Sequence, residues 1–273
     1  MKNFYLLFLI FLTSINIFAQ TDAKKEASVT KEAEGGGVSN EQMTKSNNPL
    51  ANLNSFNLQN YYSPKIQGTT EVSNSLLVRG VMVSGRQIIR ATMPITTTPT
   101  VEGYRSGLGD FSIFDIIKLT GDSARTEFGV GPLIAAPTAT SNSIGSGKWQ
   151  IGVATVVIHP MKGGNMIGTL ITYQTSIAGN KNRTGTNLLI FQPVLTLNMG
   201  NGLYGRSAGG TWTFDFQNNR TLIPLGIGVG KIFKAGKTIV NIFIEPELTV
   251  YSEGQGQPAY QIFLGMNFQW AKD

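Results

Sequence analysis

Cysteine is absent from the 273-residue chain. That excludes disulfides, thiolate metal sites, a thiol nucleophile and the lipid-modified cysteine of a lipoprotein. Charge is scarce: 14% of residues are Asp, Glu, Lys or Arg, against about 25% in soluble domains. The formal charge is +6, yet Lys and Arg form no blocks interleaved with aromatics, so nucleic acid is not an expected partner. Beyond the N-terminus no uninterrupted apolar run approaches the roughly 20 residues that a spanning helix needs. Histidine occurs once, at His159. What the chain does have is apolar character (41%) at a mean hydropathy near zero, and 32 glycines. Such averages suit a barrel whose lipid-facing and interior residues alternate.

Residues 1–19 read as a secretory signal peptide. Met1-Lys2-Asn3 is a short basic start, Phe4 to Phe18 is almost wholly apolar, and Ala19 is a small residue for cleavage. Residues 20–47 are polar, lack aromatics and carry three consecutive glycines. They bury too little to offset ordering entropy, so a disordered tail is expected, with only a marginal helix over Ala23–Glu34. Whether this tail hangs in the periplasm or enters the interior stays open.

Residues 48–273 alternate. In Tyr260–Trp270, Tyr260, Ile262, Leu264, Met266, Phe268 and Trp270 share one face, and Gln261, Phe263, Gly265, Asn267 and Gln269 the other. Upstream, Val240, Ile242, Ile244, Pro246, Leu248 and Val250 oppose Asn241, Phe243, Glu245, Glu247, Thr249 and Tyr251. Ile223, Leu225, Ile227 and Val229 oppose Leu222, Pro224, Gly226, Gly228 and Gly230. Similar segments cover Ile167–Ser176 and Asn187–Met199. Twelve residues tilted near 45° span roughly 29 Å, enough for an apolar band of about 25 Å. Strands of soluble sandwiches stop at about five or six residues, which argues against a secreted soluble sandwich.

Breaks of two kinds separate the segments. Ser84-Gly85-Arg86, Met161–Gly164, Gly200-Asn201-Gly202 and Lys234–Lys237 are short. Thr98–Gly107, Pro137–Gly147, Ala178–Gly185 and Ser252–Pro258 are longer and more polar. The expected fold is therefore all-β: a closed antiparallel transmembrane barrel of about 12 strands, with short periplasmic turns and longer extracellular loops. Trp149, Trp212, Trp270, Tyr173 and Tyr260 are candidates for interfacial girdles.

Alternation points Arg79, Arg90, Glu127, Gln174, Gln192, Asn241, Glu245 and Glu247 inward, as the candidate lumen lining. Glu245 and Glu247 are expected to pair with Arg79, Arg90 or Lys231, with Glu127 and Asp215 joining the network. Paired carboxylates also serve acid–base chemistry, but His159 sits at a strand end with no serine nucleophile pattern beside it. No catalytic residue is assigned. Gly226–Lys231 superficially resembles a phosphate loop, but no helix follows it. No metal ligands and no cofactor are expected.

The order of several segments resembles one barrel family. They are Asn48–Leu53, Phe56–Tyr62, Ser75–Val83, Ile88–Pro94, Gly107–Asp110, Gly129–Pro132, Pro137–Thr140, Gly145–Trp149 and Gly254–Pro258. That family is the phenol-degradation MetA-pathway, transporter-like group of outer-membrane proteins, and the similarity covers residues 48–270. The resemblance implies a barrel of the bacterial outer membrane that passes small, often hydrophobic or aromatic, molecules. The expected function is thus a channel through a narrow lumen lined by Arg and Glu. The alternative is a non-conducting barrel serving as anchor, adhesin or lipid-modifying enzyme. Expected partners are outer-membrane lipids, small-molecule solutes and, through the C-terminal strand, the outer-membrane assembly machinery.

Overall fold

The structure is a computed structural model in which residues 38–121 and 124–271 are described. The expected signal peptide, and the expected tail up to residue 37, lie outside these residues. The described chain opens with one helix, α1 (Asn40–Asn47), and continues as an antiparallel meander. The strands are β1 (Leu53–Ile66), β2 (Ser73–Ser84), β3 (Gln87–Thr100), β4 (Gly103–Leu108), β5 (Phe111–Lys118), β6 (Glu127–Ala136), β7 (Lys148–Pro160) and β8 (Met166–Gly179). They go on as β9 (Asn187–Gly200), β10 (Leu203–Ser207), β11 (Trp212–Asp215), β12 (Arg220–Gly226), β13 (Gly228–Ala235), β14 (Thr238–Glu253) and β15 (Pro258–Ala271).

These fifteen segments make twelve staves among the described residues, because three staves are each broken once. β4 and β5 both pair with β3, β10 and β11 both pair with β9, and β12 and β13 both pair with β14. β1 closes on β15 from Leu53↔Ala271 to Ile66↔Pro258. Closure pairs the staves around the whole circumference, so backbone groups at the level of hydrocarbon have partners within the barrel, and β4 alone pairs on one side only, with β3, among the described residues. The even count returns both ends of the barrel to one rim.

Alternation sorts the two faces. Ile244, Leu248, Val250, Leu264, Met266 and Trp270 are all at least two-fifths exposed on the outside. Asn241, Phe243, Glu245, Glu247, Gln261, Phe263 and Gln269 on the same two strands are buried inside. An apolar belt on this scale is stable only against lipid. Trp149, Trp270, Tyr173 and Tyr260 are exposed on that belt, whereas Trp212 packs on Phe191 with ring centres 5.2 Å apart and planes tilted by 38°, and donates its indole N–H to the Pro224 carbonyl at 3.2 Å. Asn201-Gly202 forms the tightest turn type, with φ of 51° and 76°, the geometry that an Asn-Gly pair accepts most readily.

Four local expectations change. First, residues 38–47 are not a disordered tail: α1 is capped by a reciprocal Ser39–Gln42 box and buries Met43 and Ser46. Second, Thr98–Gly107 is mostly strand. β3 and β4 form a hairpin turning at Val101-Glu102, held by hydroxyl contacts such as Thr97–Ser106 at 2.8 Å. Its β-branched polar residues favour extended backbone in water. Third, Ile223 is buried rather than lipid-facing, beside a register shift at Ile223/Pro224. Fourth, Val240 is covered on the outer face because it pairs between Phe233 and Phe268.

Candidate functional site: the barrel lumen

The interior has two unlike walls. On β1, β14 and β15 most inward residues are polar, namely Ser55, Asn57, Gln59, Asn241, Glu245, Glu247, Gln261, Asn267 and Gln269, with the rings of Tyr61, Phe243 and Phe263 among them. On β2 to β9 a cluster of apolar residues faces inward, with Val83, Ile88, Phe114, Ile116, Leu133, Val156, Ile158, Met166, Leu170 and Val194 buried together. The expectation of a lumen lined by Arg and Glu thus describes only part of the circumference.

α1 bridges the two walls near the rim where the barrel begins and ends. Ser46 and Gln269 are joined twice, by Ser46 Oγ donating to Oε1 at 2.5 Å and Nε2 donating to the Ser46 carbonyl at 2.8 Å. Asn241 Nδ2 donates to Asn47 Oδ1 at 3.1 Å, and its Oδ1 accepts from the Tyr204 hydroxyl at 2.6 Å. On the far side Asn48 Nδ2 donates to Glu127 at 2.9 Å, while Lys118 neutralises that carboxylate at 2.7 Å. Leu50, 1% exposed, packs into the apolar wall, and Met43 packs on Tyr204 and Ile232. Each end of the segment therefore meets the wall that matches it. Burying a leucine side chain this fully is worth about 1.5–3 kcal/mol.

A second obstruction lies farther along the lumen. Between β10 and β11 the chain leaves the wall: pairing with β9 stops at Ser207↔Leu195 and resumes at Trp212↔Phe191. Ala208, Gly209 and Gly210 are buried. Their loop recruits side chains in place of the lost ladder. The Glu245 carboxylate accepts the N–H of Ala208 at 2.9 Å and of Gly209 at 3.0 Å. Gln192 Nε2 donates to the Ala208 carbonyl at 2.6 Å, and the Tyr61 hydroxyl to the Gly209 carbonyl at 3.0 Å. Three staves thus grip one loop. Arg206 Nε pairs with Glu245 at 2.7 Å and lies 3.6 Å over the Phe243 ring. Phe263 completes the packing, stacked on Tyr61 at 4.2 Å. Glycine is required at 209, where a Cβ would meet Glu247 Oε1 at 2.2 Å and Phe263 at 2.3 Å. The inward glycines of β12 and β13 work likewise: a Cβ on Gly226 would meet Glu247 at 2.6 Å, and one on Gly230 the Tyr204 ring at 2.3 Å.

The structure brings some sequence-selected residues together and separates others. Glu245 and Gln192 meet on the loop. Glu247 lies beside them and accepts from Gln261 Nε2 at 2.6 Å. Asn241 and Glu127 belong to the helix contacts, and Gln174 donates to Gln150 at 2.7 Å. Arg79 is bonded to Gln59, and Arg90 lies 4.1 Å over the Phe114 ring. The expected pairing of Glu245 with Arg79, Arg90 or Lys231 is replaced by Arg206. Lys231 is exposed on the outer face and donates to the Asn201 carbonyl at 2.5 Å. Asp215 instead caps its own turn, accepting from Gln217 and Asn218. His159 bonds Thr126 at 2.9 Å. Alternation through Tyr204 and Arg206 was the available signal for the missed arginine, and Gly209-Gly210 for the loop.

Between α1 and the level of Gln59 remains a cavity of about 170 Å³. Arg79 and Arg90 line it, together with the Lys45–Leu53 segment.

A twelve-stave closed barrel with an apolar belt and a partly polar interior defines a transmembrane barrel of the bacterial outer membrane. No family model and no curated protein sequence matches the chain. Among solved structures it is similar to the COG4313 outer membrane channel from Pseudomonas putida F1, at a TM-score of 0.56 and 11% identity over 90% of this chain and 100% of that one. At that identity the likeness establishes the fold. A bacterial polysaccharide outer membrane secretin aligns at a TM-score of 0.36 and 8% identity, over 81% of this chain and 99% of that one, too low to support any argument.

Proposed function

We propose that this protein is an outer-membrane channel for small solutes, held closed in the described state by two pieces of its own chain. One observation carries the reading: both obstructions are separable from the wall. α1 and the Ala208–Thr211 loop are not staves, and they are held by side-chain hydrogen bonds, one ion pair and a few apolar contacts. The segment that includes α1 already borders a cavity inside the barrel. The apolar wall and the resemblance to the MetA-pathway group support hydrophobic or aromatic solutes. In this reading Glu245 and Gln192 act on the gate rather than as a selectivity lining. The reading assigns no reaction to the protein, and it gives the aromatic-ended β15 to recognition by the assembly machinery.

The helix seated in the lumen also favours a second reading, a non-conducting barrel that anchors or adheres. Single-channel recording in planar bilayers separates the two. The full chain is expected to show rare, short openings, and a variant lacking residues 38–47 a sustained conductance. Silence from both, in barrels that remain folded by gel mobility, would leave the non-conducting reading standing.

A further inference from the structure

The interior charges do not cancel locally. Glu245 has Arg206, and Glu127 has Lys118. Arg79 and Arg90 have no carboxylate partner among the described residues. Arg79 is bonded only to the Gln59 amide. Arg90 makes no hydrogen bond there and is fixed by its ring contact with Phe114. The Nε atoms of both are inaccessible and unpartnered. Both residues line the same cavity, and no acidic residue lines it with them. The third cation on its surface, Lys45, is paired with Glu41 at 2.6 Å. Confined guanidinium groups without a counter-charge are costly unless an anion joins them.

The rest of the lining says what else such an anion carries. Opposite the amides of Asn57, Gln59 and Asn267 stand Val81, Ile88, Phe114, Ile116, Val156 and Leu170. A free inorganic ion would leave that apolar side unmatched. We infer that the cavity is a binding site for a small organic anion with an apolar body, its carboxylate held by Arg79 and Arg90 and its body laid against Phe114 and the aliphatic wall. Arg suits this task because its planar fork matches a carboxylate in two-point contact. The inference deepens the channel reading and rests on it for the site's purpose, by naming the class of solute the lumen retains.

The test is calorimetric titration of the purified full chain, in a neutral detergent, with benzoate, benzamide and benzylamine. Benzoate is expected to bind about tenfold more tightly than neutral benzamide, and benzylamine not at all. Arg90→Gln and Arg79→Gln are each expected to weaken benzoate about tenfold while leaving benzamide unchanged. Arg90→Lys should recover part of the loss by retaining the charge. Arg90→Gln is the decisive variant, because Arg90 contributes no hydrogen bond to the folded wall, and gel mobility on heating verifies that the barrel is intact. Equal affinity for benzoate and benzamide, no benzoate heat at all, or unchanged benzoate affinity in a folded Arg90→Gln protein overturns the site. The two readings fail separately. A barrel that conducts without preferring benzoate keeps the channel and loses the site. One that binds benzoate yet never conducts, with or without residues 38–47, keeps the site and loses the channel.

Discussion

The polar wall on β1, β14 and β15 and the apolar wall on β2 to β9 share one barrel and one outer belt, yet they hold the interior by different means. The polar wall uses directional bonds. Gln269, Asn241 and Glu245 each reach a named atom of α1 or of the Ala208–Thr211 loop. The apolar wall uses volume: Leu50 enters a cluster that includes Ile116, Val156 and Leu170. Directional bonds fix where an inserted segment sits, and they can exchange with water when it leaves. Apolar packing supplies retention with little positional detail. A lumen with one wall of each kind can hold a segment in register and still release it.

Glu245→Ala should have the largest effect, because it leaves Arg206 buried without its anion and two loop N–H groups unmet. A loss of about 3–5 kcal/mol is expected, read as a lower urea midpoint for the folded gel band. Were the midpoint unchanged, the polar wall would not depend on that clamp. Leu50→Ala removes the apolar anchor at an expected cost of about 2–5 kcal/mol, but most of it falls on the plug. Increased open probability with a nearly unchanged unfolding midpoint is the expected pattern, and unaltered gating would mean that the apolar wall does not retain α1. Ile244→Lys tests the belt that both walls share. A charge there should cost about 2–4 kcal/mol at mid-bilayer depth, measured by refolding into vesicles, and no loss would place Ile244 in water. Ser46→Ala is the smallest change, about 1 kcal/mol. It should shorten closed dwell times modestly and leave barrel stability alone.

Much of the barrel was legible without coordinates. Period two in Tyr260–Trp270 and Val240–Tyr251 separates inside from outside, and that separation survives in the burial of Glu245 and Glu247 against the exposure of Ile244 and Leu248. It failed beside a register shift, at Ile223, and at Val240 it gave the face but not the cover that Phe233 and Phe268 provide. α1 was hidden for a different reason. A helix that must face Gln269, Asn241 and Glu127 has no need of a long apolar stripe, so its polar composition reads as a tail. Only the Ser39–Gln42 capping box marked it. The candidate site was legible as a set of inward residues, but not as a set of partners.

From the sequence alone came the two-residue rhythm, the turns that interrupt it, and hence a closed barrel with a dry outer face and these side chains inside. That much follows because strand direction and face are properties of neighbouring residues. Which inward groups touch was decided only by closure of twelve staves, with their stagger and breaks. Arg206 meets Glu245, and Ser46 meets Gln269, across a lumen and far apart along the chain. Arg79 and Arg90 are left facing a cavity by the same folding.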